Sequence, residues 1–226
     1  MKIQFYSLTT VENAVATVDA GADLIGLVVE GGIQVPEEIS VEHAREIFNA
    51  IDGRALGIAL SLSTDPDIIC CMANAVQPHA VHLAARNLTT DALAQVRADL
   101  DKNIRIMAAI PVTGPEAVDV ARERSDYSDY FLLDSVADSQ ADITGVTGKT
   151  HDWNISRQIV EAVSIPVVLA GGLSPDNVAK AIEVVRPWGV DSYTHTNLPG
   201  DRMLKDLDQV HAFVRNTRDT AARLGL

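Results

Sequence analysis

The sequence predicts an α/β fold, a single (β/α)8 barrel (TIM barrel) over residues 1–226. Short apolar runs alternate with amphipathic stretches along the whole chain, and eight such strand–helix cycles can be counted. Apolar residues make up 47% of the chain and aromatic residues only 4%, so the core must be aliphatic, as the interior of a parallel barrel requires. No linker or low-complexity segment divides the chain, which therefore forms one domain.

The order of elements follows from the positions of these apolar and amphipathic stretches. The predicted strands are residues 2–7, 24–29, 55–60, 79–83, 104–109, 129–134, 166–170 and 189–193. The predicted helices are residues 10–20, 40–51, 65–76, 89–99, 114–123, 154–163, 175–184 and 204–222. Four helices begin at residues whose side-chain oxygens suit an N-cap: Thr9-Thr10, Ser40, Thr64-Asp65-Pro66 and Ser174-Pro175-Asp176.

A doubly wound open sheet is the alternative to a barrel. It would more often place a Gly-x-Gly-x-x-Gly turn after the first strand, where this chain reads YSLTTVEN. Eight right-handed strand–helix units close most naturally into a barrel, whose function sits on the loops after each strand. The candidate loops are 6–9, 30–38, 61–63, 82–86, 111–113, 134–153, 171–174 and 193–200.

Charge and composition exclude several classes of partner. The net charge of −13 argues against a nucleic-acid backbone or an anionic membrane. No apolar run approaches the ~18 residues of a membrane span, and the N-terminal residues lack the pattern of a secretory signal, so the cytoplasm is predicted. The adjacent Cys70 and Cys71 have no metal-ligand or redox spacing and are interpreted as helix residues of the core. The oligomeric state stays open.

Four stretches carry a resemblance to a known family: FLLDS at 131–135, GVTGKTHDW at 145–153, VLAGGLSPDNV at 168–178 and VRPWGVD at 185–191. In this order and spacing they resemble the phosphoribosylanthranilate isomerase family, which performs an Amadori rearrangement in tryptophan biosynthesis. The segments 8–14 and 20–23 match as well, so the resemblance covers essentially the whole chain. A nucleotide-binding P-loop is excluded, because Ile143 stands where that motif needs a glycine.

The resemblance implies a general acid and a general base on opposite sides of the barrel. Asp134, which ends the sixth strand, stands in the place of the acid that protonates the furanose ring oxygen. The family's base is a cysteine near the end of the first strand, and this chain has none there. Tyr6 replaces it when the two sequences are aligned without a gap, and a phenol is a poor base at neutral pH.

Two further departures concern substrate binding. Glu37 replaces the family's arginine that holds the anthranilate carboxylate, and such a charge reversal predicts repulsion between two carboxylates. Gly171-Gly172 matches the family's phosphate-binding turn, where glycines let backbone N–H groups approach an anion. In the eighth loop His195 replaces a glycine of the phosphate site, while Thr194 and Thr196 still offer hydroxyl groups.

His82 and His195 both end predicted strands and are candidates for the missing base, since histidine titrates near neutral pH. No local histidine spacing supports a metal site, and no cofactor is expected. We therefore expect a cofactor-free isomerase of the aldose–ketose type that acts on a phosphorylated small molecule other than phosphoribosylanthranilate. A true phosphoribosylanthranilate isomerase with a relocated base and a non-catalytic metabolite-binding barrel are the alternatives.

Overall fold

Parallel strands close into a barrel in the computed structural model, which describes residues 1–31, 34–135 and 150–226. The strands are β1 (Lys2–Tyr6), β2 (Leu24–Val29), β3 (Glu38–Ile39), β4 (Leu56–Ser61), β5 (Ala80–Leu83), β6 (Arg105–Pro111), β7 (Tyr130–Asp134), β8 (Val167–Leu169) and β9 (Gly189–Ser192). β1 pairs with both β9 and β2, which closes the sheet, and the two-residue β3 pairs only with β2, beside the barrel wall. The predicted (β/α)8 barrel is confirmed.

Helices follow the barrel strands in the predicted order. They are α1 (Val11–Asp19), α2 (Val41–Ile51), α3 (Pro66–Val76), α4 (Thr90–Asp99), α5 (Ala117–Arg124), α6 (Trp153–Ala162), α7 (Val178–Val185) and α8 (Leu207–Leu224). The predicted caps Thr10, Ser40 and Asp65 each accept a hydrogen bond from a first-turn N–H group. The side-chain oxygens therefore set these helix starts as the sequence predicts.

The predicted cap of α7 is wrong. Residues Ser174 to Asp176 form a turn, and the helix begins three residues later than expected, at Val178. The Asn177 side chain stabilises this turn, because its Oδ1 accepts from Ser174 N at 2.9 Å and its Nδ2 donates to Gly172 O at 2.9 Å. The Asn177 side chain thus holds the segment before Val178 in a turn, and the helix begins after it.

The barrel interior and the helix–barrel interface are separate apolar layers. Inside the barrel, eight buried residues pack together: Tyr6, Leu24, Ile58, Ala80, Met107, Leu132, Val168 and Ala170. The alternate residues of each strand point outward to the helices, as in the edge-on contact of Phe5 with Phe213 of α8 at 5.6 Å between centroids. This alternation fixes which residues of each strand reach the barrel interior.

Gly26 makes room for the Tyr6 ring inside the barrel. The two residues are register partners on β1 and β2, and a Cβ atom on Gly26 would lie 2.0 Å from Tyr6 Cε1. No real contact is that short, so any larger side chain would force the ring to move. The inward position of the Tyr6 hydroxyl depends on this glycine.

The close approach predicts that Gly26→Ala destabilises the protein. We expect the free energy of unfolding in urea to fall by about 1–3 kcal/mol, because an extra carbon overpacks the barrel. In a Tyr6→Leu background the same change should cost clearly less, since the ring is gone. An equal cost in both backgrounds would contradict the steric explanation.

Candidate active site

Tyr6 and His82, both predicted as site residues, meet inside the carboxyl end of the barrel. Tyr6 ends β1 and His82 lies on β5, across the barrel, and their Oη and Nδ1 atoms are 2.8 Å apart. Both side chains are buried. Because inward-facing positions recur every second residue, strands that are distant in sequence bring these two polar groups together.

Burial keeps this pair uncharged at neutral pH. Desolvation, with the nearby Asp191 as second cause, raises the pKa of the Tyr6 phenol well above 10. Desolvation lowers the pKa of His82 to about 3. The phenol therefore retains its proton and the imidazole stays neutral, so neither is a strong base. The pair can donate hydrogen bonds, and His82 Nε2 has no partner among the described residues.

Asp134 ends β7 and has the properties of a general acid. Its Oδ1 accepts hydrogen bonds from Ser135 N at 2.7 Å and Ser135 Oγ at 3.4 Å. Desolvation raises its pKa to about 7 in spite of these hydrogen bonds, which act to lower it. A carboxyl group with this pKa is partly protonated at neutral pH and can give a proton to a substrate oxygen.

Gly171 lies directly beside the Asp134 carboxyl group. It has a φ of +83°, and a Cβ on it would lie 3.0 Å from Ser135 N and 3.1 Å from Asp134 Oδ1. Gly172 also has a positive φ, of +63°. Gly171 thus has a second consequence, because any side chain at this position would press against the Asp134 carboxyl group and the Ser135 N–H group bound to it.

The three site residues predicted in the loop after β9 differ in burial. Thr194 and His195 are exposed, whereas Tyr6 and His82 are buried. Thr196 is fully buried, and its hydroxyl donates to Tyr193 O at 3.1 Å. The Thr196 hydroxyl therefore already has a hydrogen-bond partner within the loop, whereas Thr194 is exposed.

Two site residues escape the sequence-based prediction, Asp191 and Lys205. Asp191 faces the barrel interior from β9, and its Oδ1 is buried without a hydrogen-bond partner in the described chain. Desolvation and the charge of Asp134 raise its pKa to about 8, while Lys205 acts to lower it. The sequence offered one signal for Asp191. Side chains alternate between the two faces of a strand, so in the predicted strand 189–193 residue 191 shares a face with Gly189.

Lys205 is the buried cation of this region. Its Nζ donates to Asn197 Oδ1 at 2.6 Å and to Tyr193 O at 3.3 Å. Desolvation lowers its pKa to about 7, and the Asp191 carboxylate acts in the opposite direction. Its position could not be read from the sequence, because a lysine on a surface loop is usually exposed.

Glu37 is not the uncompensated negative charge that the sequence suggests. Arg202, from the loop after β9, forms a salt bridge with it at 2.7 Å, and the Tyr193 hydroxyl donates to the same carboxylate. Arg202 also lies over the Tyr193 ring, 5.8 Å from its centroid. The loops after β2 and β9 are joined above β1, so the expected repulsion between Glu37 and a substrate carboxylate is removed by Arg202.

In the described ranges no three His, Cys, Asp or Glu side chains are arranged to hold a metal ion. No helix of the described part is long and apolar enough to cross a bilayer. Residues 145–149 of the GVTGKTHDW motif lie outside the described residues.

The raised pKa of Asp134 predicts a pH-dependent cost in stability. Between about pH 4 and 7 the folded state binds the Asp134 proton more tightly than the unfolded chain, so stability falls as the pH rises through this window. We expect Asp134→Asn to stabilise the protein near pH 8 by roughly 1–2 kcal/mol and to have little effect near pH 4. Exposed Asp176→Asn is the matched control for thermal unfolding at both pH values, and an equal gain from both changes would contradict the assignment.

The known proteins that this chain resembles carry the name of one family. The N-(5'phosphoribosyl)anthranilate (PRA) isomerase family matches residues 4–216. A relative named N-(5'-phosphoribosyl)anthranilate isomerase from Haloferax volcanii is 38% identical over 91% of this chain and 88% of its own length. Another of the same name, from Natronomonas pharaonis, is 34% identical over 94% of this chain and 96% of its own. These relatives are isomerases, so the prediction of an enzyme rather than a non-catalytic barrel is supported.

Solved structures of proteins from the same family have the same fold as this chain. Phosphoribosyl anthranilate isomerase from Thermotoga maritima is 26% identical, with a TM-score of 0.81 over 97% of this chain and 99% of that one. The expectation of a substrate other than phosphoribosylanthranilate is contradicted by relatives of this one name at 30–38% identity over nearly the full length. It relied on the charge reversal at Glu37, which Arg202 compensates. The chain belongs to the N-(5'-phosphoribosyl)anthranilate isomerase family.

Proposed function

We propose that this protein is a phosphoribosylanthranilate isomerase, which converts N-(5'-phosphoribosyl)anthranilate into the corresponding 1-(o-carboxyphenylamino)-1-deoxyribulose 5-phosphate. The observation that carries the proposal is Asp134, a carboxyl group at the barrel mouth whose pKa burial raises to about 7. The proposal includes a cofactor-free reaction on a phosphorylated small molecule in the cytoplasm.

Asp134 acts as the general acid. The reaction opens the furanose ring, so the bond between C1 and the ring oxygen breaks and that oxygen takes up a proton. Asp134 supplies this proton and is left as a carboxylate, which the Ser135 N–H group stabilises. As the ring opens, the nitrogen lone pair of the substrate forms a C1=N bond. A second group must then remove the proton from C2, which returns those electrons to the nitrogen and gives an enolamine. Addition of a proton to C1 and loss of the 2-hydroxyl proton complete the ketone product.

We assign the removal of the C2 proton to Asp191. Tyr6 and His82 are neutral and weakly basic, and His195 is exposed. The charge of Asp134 is the second cause of the raised pKa of Asp191, so protonation of Asp134 favours ionisation of Asp191, as does the Lys205 ammonium group. The pKa of Asp191 is about 8 and that of Asp134 about 7, so a single proton shared by the pair resides mainly on Asp191 in the free protein, and the proposed roles require the state in which it resides on Asp134. Tyr6 remains as a hydrogen-bond donor at the position of the family's cysteine.

Groups on two sides of the barrel mouth bind the two anionic groups of the substrate, its phosphate and its carboxylate. The turn at Gly171-Gly172 and the exposed Thr194 supply backbone and hydroxyl donors for the phosphate. Arg202 carries a guanidinium group that remains more than half exposed while it pairs with the buried Glu37. We propose that Arg202 binds the anthranilate carboxylate, with Glu37 and Tyr193 holding it in place.

Turnover of the substrate tests the proposed function directly. The purified protein should consume phosphoribosylanthranilate, followed by its fluorescence, and should restore growth without tryptophan to an auxotroph that lacks this isomerase. Asp134→Asn and Asp191→Asn should each lower kcat by about 100-fold or more, since each removes a proton-transfer group. Tyr6→Phe should stay within about 10-fold of the wild type. Absence of turnover and of complementation by the folded wild-type protein would refute the proposal.

A charge-removal cycle tests the role of Arg202. If Arg202 binds the substrate carboxylate, Arg202→Gln should raise KM about 10-fold or more, and the double variant Glu37→Gln/Arg202→Gln should be equally impaired. Glu37→Gln alone should change KM by about threefold at most. Recovery of KM in the double variant would instead show that Arg202 serves only to neutralise Glu37.

A further inference from the structure

Lys205 is a buried lysine whose ammonium group donates to three neutral oxygen atoms of the loop after β9. Its Nζ lies 2.6 Å from Asn197 Oδ1, 3.3 Å from Tyr193 O and 3.4 Å from Thr196 Oγ1. Only 4% of the residue is exposed. Burial of a cation costs free energy, and a methionine of similar length would fill the same place at lower cost. The ammonium group therefore points to a role other than packing.

Lys205 closes a hairpin that carries Arg202. Asn197 and Lys205 pair as an antiparallel bridge, and Arg202 belongs to the connection between them. The Lys205 backbone N–H group donates to Asn13 Oδ1 on α1 at 3.0 Å. The base of the hairpin is thus tied to a helix of the barrel, at the same residue whose side chain reaches into the loop.

The Asn197 amide links Lys205 to Arg202. Its Oδ1 accepts from Lys205 Nζ, and its Nδ2 donates to Arg202 O at 3.2 Å. An ammonium group can only donate, so it requires the amide oxygen on its own side and directs the amide N–H group toward Arg202. Lys205 therefore determines which way this amide is turned.

Tyr193 forms a second link between the same two residues. Lys205 Nζ donates to its carbonyl oxygen and lies 5.1 Å from its ring centroid. At the far end of the side chain, Arg202 Nε donates to Tyr193 Oη at 3.2 Å, and that hydroxyl donates to Glu37. The backbone and the guanidinium group of Arg202 are thus each held by a residue that Lys205 contacts.

We propose that Lys205 is a positioning residue for substrate binding, which holds Asn197 and Tyr193 so that the Arg202 guanidinium group stays where the substrate carboxylate binds. This inference rests on the proposed function, in which Arg202 binds the anthranilate carboxylate. The Arg202 side chain is 57% exposed, and an exposed arginine that is held in one conformation loses less entropy when it binds an anion. Lys205 acts through its two neighbours and not by contact with the substrate.

Two ligands that differ only in the carboxylate test this role by calorimetry. One is reduced 1-(o-carboxyphenylamino)-1-deoxyribulose 5-phosphate, the ligand named for a solved phosphoribosyl anthranilate isomerase complex, and the other is its phenylamino counterpart without the carboxyl group. In Lys205→Met the Kd of the carboxylated analogue should rise about 10-fold or more, and that of the phenylamino counterpart should change by about threefold at most. A rise shared equally by both ligands would overturn the proposal, since both carry the phosphate and only one carries the carboxylate.

Lys102→Met, at an exposed position, is the matched control and should leave both Kd values unchanged. Binding is measured rather than turnover, because the charge of Lys205 also acts on Asp191, which is assigned to the removal of the C2 proton.

A double variant shows whether Lys205 acts through Arg202. In Arg202→Gln the guanidinium group is already absent, so adding Lys205→Met should raise the Kd of the carboxylated analogue by about twofold at most. A further rise as large as the one in the wild-type background would overturn the proposal.

The behaviour of the wild type separates this inference from the proposed function. Normal turnover of phosphoribosylanthranilate, with an unchanged affinity of Lys205→Met for the carboxylated analogue, would overturn the role of Lys205 and leave the isomerase activity standing. Neither turnover nor binding of either analogue by the folded wild type would overturn the proposed function, and the inference with it. A thermal unfolding curve for each variant shows whether it is folded.

Discussion

Closure of the barrel is the constraint on which the site depends. β1 pairs with both β9 and β2, so the inward-facing residues of all three strands share one interior with those of the opposite wall. Water is largely excluded from such an interior, and polar side chains there either find a partner or change protonation state. Tyr6 finds His82, whereas Asp134 and Asp191 hold protons at pH values where exposed carboxyl groups are ionised.

Cations from the loop after β9 compensate the negative charges of the side chains at the barrel mouth. Arg202 reaches Glu37 across the top of β1, and Lys205 is buried where its charge acts on Asp191. An acidic protein thus keeps two cations, Arg202 and Lys205, at the barrel mouth, where they oppose the charges of Glu37 and Asp191. Glu37 stands where the family has an arginine, and the salt bridge places the Arg202 guanidinium group beside it.

The fold and part of the site were predictable from the sequence, since they depend on local patterns. The positions of strands and helices follow from hydrophobic periodicity, and Thr10, Ser40 and Asp65 cap helices through neighbours in sequence. Asp134 was identifiable because it directly follows a buried strand. The late start of α7 was missed because the Asn177 side chain stabilises an extra turn. The substrate was misjudged because Glu37 was considered without the residue that pairs with it.

The sequence by itself determined the barrel, the family resemblance and the place of Asp134 at the end of a barrel strand, because each is encoded in consecutive residues. Only the tertiary structure decided which cation faces Glu37 and which carboxyl group accompanies Asp134. Glu37 and Arg202, like Asp134 and Asp191, are far apart along the chain and meet only when the barrel closes. Their protonation and pairing follow from shared burial, a property of the folded molecule that no single segment carries.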